Sequence, residues 1–177
     1  MTGCERVRKQ QLKEKNNLQP LIFFTYYLLV MLLSSCVSLA GISNRQKQEL
    51  TEKGYPVAIL LCATGRPNSV GGVGVSIVFQ NISEKEIKYV NFTVVPYNRV
   101  NDIVSSSIGN KSVARLQYTG PYKPGAVVGN GSYWDSVWYN STIVKIEITK
   151  IEIIFMDGSV INIDTVDELI VSRNGFM

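Results

Sequence analysis

The sequence predicts an all-β chain, an antiparallel β-sandwich of about seven strands set behind an N-terminal segment of different character. Three observations carry this. Beyond the N-terminus Val and Ile dominate the apolar content while Leu and Ala are scarce, and β-branched side chains suit a pleated face better than a helix. Short apolar stretches, several with a two-residue period, alternate with clusters of Gly, Pro and Asn. Asp157-Gly158 lies between two such stretches, a strong hairpin signal. The chain has 177 residues, and once the first 35 or so are set aside the rest has the size of one domain, expected over residues 55–177.

Residues 1–20 are polar and basic, residues 21–33 are uncharged and apolar, and the small residues Ser34, Ser35 and Cys36 follow. That order is the pattern of an export signal, and the apolar run falls short of the roughly 20 residues a membrane span needs. Leu33-Ser34-Ser35-Cys36 resembles the lipobox of bacterial prolipoproteins. The resemblance implies cleavage in the region of Leu33, Ser34 and Ser35, lipidation of Cys36, and a membrane anchor made by the N-terminal lipid. The domain would then stand outside the cytoplasm in a bacterial cell envelope. The alternative is an uncleaved signal anchor, with apolar character stretched from residue 21 to residue 42. Residues 36–54 read as a polar tether, of which 42–54 could form a short exposed helix.

Charge partition limits the classes of partner. The net charge is +4, but residues 1–35 hold five basic residues (Arg6, Arg8, Lys9, Lys13, Lys15) against Glu5 and Glu14. The remainder is nearly balanced, so no basic face for nucleic acid is expected. The cysteines Cys4, Cys36 and Cys62 are placed too unevenly for a disulfide framework, and Cys62, beside Leu60 and Leu61, reads as a small buried hydrophobe.

Within the domain, residues 56–63 form a first apolar strand and 64–72 a loop. In the next strand Val73, Val75, Ile77 and Phe79 are expected inward, against Gly74, Ser76, Val78 and Gln80. A turn at 81–86 leads to a strand over 87–97, with Lys88, Val90, Phe92 and Val94 assigned to the core side by parity. Pro96 ends that strand or bulges it. Asn101-Asp102 is read as a turn into a hairpin partner at 103–108. A strand over 112–120 follows, then a turn-rich crossing between sheets over 119–132. Ile146 and Ile148 share one parity while Ile151, Ile153 and Phe155 share the other, which predicts a bulge near Thr149-Lys150. A helical turn is expected from Asp164 or Thr165. The strand count and the Greek-key wiring point to an immunoglobulin-like sandwich, without the paired cysteines and packed Trp of antibody domains.

Residues 72–104, the run Thr119-Gly120-Pro121, and residues 132–159 with Trp134, Trp138-Tyr139-Asn140 and Asp157-Gly158-Ser159 resemble an uncharacterised immunoglobulin-like family of cell-envelope lipoproteins. The resemblance covers nearly all of residues 55–163. It implies fold and location and supplies no activity, so no functional residues are carried over.

The chain has no histidine, which removes the commonest general base and metal ligand. The carboxylate groupings Glu84/Glu86, Glu147/Glu152 and Asp164/Asp167/Glu168 read as solvated faces and a helix start. No catalytic residue, metal site or cofactor is expected. Gly71-Gly72-Val73-Gly74 leads into a strand and lacks the Lys of a phosphate loop. Five Asn-x-Ser/Thr triplets begin at Asn81, Asn91, Asn110, Asn130 and Asn140. The candidate binding group is Tyr133, Trp134, Trp138 and Tyr139, whose rings could stack on sugars or anchor a protein, with core packing as the competing reading. The expected role is thus a non-catalytic module binding an envelope protein or a glycan. The alternative is a structural subunit or spacer of an envelope assembly.

Overall fold

A computed structural model of the protein describes residues 42–164 and 166–170. The expected signal, with Leu33, Ser34, Ser35 and Cys36, lies outside the described residues, as does Thr165. The elements in chain order are α1 (Asn44–Glu52), β1 (Val57–Thr64), β2 (Gly72–Asn81), β3 (Ile87–Tyr97), β4 (Ala114–Tyr122), the short β5 (Val127–Val128), β6 (Trp134–Tyr139), β7 (Lys145–Phe155), β8 (Val160–Ile163) and a 3-10 turn at Asp167–Leu169.

The strands form two antiparallel sheets packed as a sandwich. In the first, β2 pairs with β1 on one side and with β5 and β6 on the other. The second runs β4-β3-β7-β8. The chain changes sheets between β2 and β3, between β4 and β5, and between β6 and β7; the second of these falls within the expected crossing over 119–132, whose first residues, 119–122, instead belong to β4. This is the immunoglobulin-like sandwich wiring. Inward residues of both sheets meet in one core, with Phe79 of β2 against Phe92 of β3 at 5.8 Å between ring centroids.

Bulges decide which residues reach that core. Opposite β3, the register of β7 jumps from Ile148 to Lys150 and skips Thr149, so Ile146 and Ile148 join Ile151, Ile153 and Phe155 inside despite their opposite parity. This is the bulge the sequence predicts. A second one overturns the assignment of Lys88. Both neighbours of β3 pair with Ile87 and then with Tyr89, so Lys88 is the extra residue, exposed, and Ile87 is fully buried in its place.

Three further expectations change. β2 is not half-buried: Val78 is buried as completely as the inward set. The outer side of β2 is covered by other chain segments. The Ser76 hydroxyl donates to Ser132 O, and the Gln80 side chain bridges Ile42 N–H and Gly125 O. Residues 103–108 form no hairpin strand. Ile103 makes a single bridge to Tyr97 and the chain then turns, because Ser105 to Ser107 use their hydroxyls on nearby backbone and side-chain groups instead of presenting a ladder edge. Residues 42–54, read as a tether or a short exposed helix, are a helix that belongs to the fold. Ser43 and Gln46 form a capping box at the N-terminus of α1, Tyr55 N–H bonds Leu50 O, and Leu50 is buried in the core cluster.

Candidate binding surface

The four aromatic residues singled out in the sequence do not form one exposed face. In the pairing of β6 with β2, Trp138 stands opposite Val73 and Trp134 opposite Val75, so Asp135 to Val137 bulge out across from Gly74 alone. Ser136 takes a left-handed φ of +49° to close that bulge. Both Trp side chains therefore lie on the inward face. Trp138 is 1% exposed and belongs to the core, which removes it from any contact surface. Trp134 is half-buried and packs edge-on against Tyr118, with centroids 4.6 Å apart. Tyr133 lies on the outer side of the first sheet, seated on Gly65 and Gly74, where an added Cβ would overlap its ring. Of the four, Tyr139 lines a groove.

That groove lies at the end of the sandwich where β2 begins, and three loops build it: 65–71, 98–113 and 140–144. It has a volume of about 660 Å³ and is lined by Val70, Gly71, Ser105 to Ser107, Asn110 and Tyr139 to Ser141. A smaller recess of about 300 Å³ adjoins it through Ser141 and is lined by Asn98, Arg99, Val100, Thr142 and Val144.

The walls are held by hydrogen bonds between loops. Ser106 is buried, and its hydroxyl accepts from Tyr139 N–H at 3.0 Å and Ile108 N–H at 3.3 Å. Ser107 donates to Tyr139 O through both its N–H (2.8 Å) and its hydroxyl (2.6 Å). Asn140 donates to Ser105 O at 2.8 Å and accepts from Thr142 N–H and Oγ1. Ser105 donates to Asn110 Oδ1 at 2.7 Å, with Asn110 at φ +49°. The loops at 98–113 and 140–144 are thereby pinned together before any ligand arrives, which lowers the ordering cost of binding. Five large apolar side chains stand exposed on the loops of this end: Val70 (70%), Val100 (74%), Ile103 (58%), Ile108 (64%) and Val113 (48%). The serine run at 105–107 carries no periodicity, and the Asn101-Asp102 turn signal before it suggests a hairpin strand there. Its signal was three consecutive hydroxyls followed by Gly109-Asn110.

The carboxylates are engaged elsewhere. Glu152 accepts from Asn91 at 2.7 Å, Glu147 pairs with Lys145 at 2.6 Å, and Glu168 pairs with Lys53 at 2.8 Å, which lowers its pKa. At the β7–β8 turn, hydrogen bonds from Lys85 and Ser159 hold the Asp157 carboxyl well below the usual range. Burial pushes the Cys62 thiol up to about 12. Among the described residues no group of three His, Cys, Asp or Glu could hold a metal ion, and no helix is long and apolar enough to cross a membrane. Gly72 and Gly74 serve packing: a Cβ at Gly72 would meet Asn68 and Ser136, and one at Gly74 would meet Tyr133 and Trp134 O. The Asn-x-Ser/Thr triplets at Asn81 and Asn140 are closed turns, each Asn Oδ1 accepting the N–H and hydroxyl of the residue two places on. No family model, curated protein or solved structure matches this chain.

Proposed function

We propose that the protein is a non-catalytic binding module, held at a membrane surface of the bacterial cell envelope by lipid on Cys36, that engages an envelope protein or glycan through its three-loop end. The observation that carries this reading is the position of the groove relative to the point where the chain joins the domain. Ile42 bonds Gln80 near the far end of β2, whereas the groove lies beside Gly71 at the strand's beginning. The length of β2 puts about 30 Å between them. Six residues, 36–41, link Cys36 to Ile42 and reach at most about 20 Å. The chain thus enters the domain at the end opposite the groove, and an anchor preceding Ile42 leaves the three loops at the end remote from that entry. The signal-like order of residues 1–36, the lipobox resemblance and the resemblance to envelope lipoprotein domains support the same location.

Two measurements test the reading. The intact mass of the membrane-extracted protein is expected to lack residues 1–35 and to carry acyl chains, and Cys36→Ala is expected to abolish the acylation. Retention of Met1 would sink the anchor. A photo-crosslinking residue placed at Val70 is expected to capture envelope material in cells, whereas one placed at exposed Lys88 on the second sheet is not. Equal capture at both positions would remove the three-loop end as the binding surface.

A further inference from the structure

We infer that the groove at the three-loop end accepts a neutral saccharide, an inference that rests on the binding-module reading above and names its ligand class. All nine lining residues are uncharged: seven carry a hydroxyl or an amide, as Ser, Asn or Tyr, and the other two are Val70 and Gly71. A charged ligand would find no counter-charge in the lining, and an ion desolvated without a partner is costly. A pyranose needs the opposite kind of surface, with mixed donors and acceptors for its hydroxyls and an aromatic ring for its C–H face.

The groove offers both. Ser105 satisfies Asn110 Oδ1, and the Asn110 amide N–H pair has no acceptor among the described residues. The hydroxyls of Ser141 and Tyr139 are likewise unengaged there. Ser107 donates its proton to Tyr139 O and keeps its lone pairs. Two amide donors, two hydroxyls and one accepting hydroxyl thus belong to residues that line the groove, Tyr139 among them, on walls fixed by the bonds of Ser106 and Asn140. The volume, about 660 Å³, falls in the range of small-molecule sites and suits about one or two sugar rings.

The test uses the full chain extracted in a polyoxyethylene detergent, since a sugar-headed detergent would compete. Chitohexaose, maltohexaose and cellohexaose serve as neutral probes and hexagalacturonate as the anionic control, with binding read by saturation transfer and its location by hydrogen exchange. At least one neutral probe is expected to bind and to protect residues 105–110 and 139–142. Asn110→Gly, which keeps the left-handed backbone, and Ser141→Ala are each expected to weaken it by about tenfold, the scale of one lost hydrogen bond. Tyr133→Ala, on the outer side of the first sheet, is expected to leave affinity unchanged. Unchanged urea midpoints confirm that the groove variants are folded. Binding by hexagalacturonate alone, protection elsewhere, or no binding by any neutral probe overturns the saccharide assignment. If crosslinking at Val70 still captures a protein partner in that last case, the binding-module reading survives its loss. If neither occurs, both fall.

Discussion

The contact between Tyr133 and the glycine pair beneath it shows how one missing side chain positions another. At Gly65 the three atoms nearest an added Cβ all belong to the Tyr133 side chain, whereas at Gly74 it would also lie 2.5 Å from Trp134 O, which is backbone and cannot swing aside. The two glycines should therefore respond differently to the same change. Gly65→Ala is expected to cost about 1–3 kcal/mol, and to cost little once Tyr133→Ala has emptied the space. Gly74→Ala is expected to stay destabilising in both backgrounds. Urea unfolding of the four single and double variants checks this as a double-mutant cycle, and equal rescue of both glycines would contradict it. At Cys62 the prediction is chemical. Its raised pKa leaves the folded protein with roughly a thousandfold less thiolate than a thiol of ordinary pKa at pH 8. Alkylation by iodoacetamide should accordingly be very slow until the chain is unfolded in urea. Asp157 gives a pH prediction. Its carboxyl has a lower pKa folded than unfolded, so its stabilising effect is complete above the unfolded value of about 4 and is lost as pH falls toward the folded one. The difference in unfolding midpoint between the parent and Asp157→Asn should be present at pH 7 and shrink steadily below pH 4.

At the scale of elements, the sequence was legible where side-chain parity and turn chemistry agreed. The two parities of β7 announced the bulge at Thr149, and Asp157-Gly158 announced the turn, with Gly158 at φ +83°. The bulge at Lys88 escaped because only Ile87 precedes it in the strand, too few residues to show a change of phase. The covering of β2 escaped because alternation reports the residues of one strand and not what lies above them. Deleting Thr149 is expected to turn Ile146 and Ile148 out to solvent or force the rest of β7 out of register, leaving the chain insoluble or without a cooperative transition. The helix was legible as a helix but not as part of the domain, since a single apolar residue, Leu50, carries the attachment. Leu50→Ala is expected to cost about 2–3 kcal/mol. It should lower the midpoint of one shared unfolding transition seen by both helix and tryptophan signals. A separate early loss of helix would show that α1 is only loosely attached.

For the molecule as a whole, β2 and β3 are the centre of their sheets, each paired on both sides, and their amides should exchange last in hydrogen-exchange measurements. Amides in 98–113 that lack a hydrogen-bond partner should exchange much sooner, whereas Val104, Ser106 and Ser107 N–H, held by Pro96 O, Lys111 O and Tyr139 O, should be slower. The candidate site was less legible than the fold. A groove made from three loops far apart in the chain leaves no period to read, and the most conspicuous residues nearby, the two Trp, went largely into packing. The opposite end of the sandwich brings distant parts of the chain together. Lys53 and Tyr55 reach Glu168, and Ile170 bridges Ile59. Ile42 is fastened to Gln80 of β2 and Ile170 to Ile59 of β1, both toward the end of the sandwich away from the groove. A fluorescent protein joined beyond Ile170 would start from the end of the sandwich away from the groove, leaving the three loops clear for labelling.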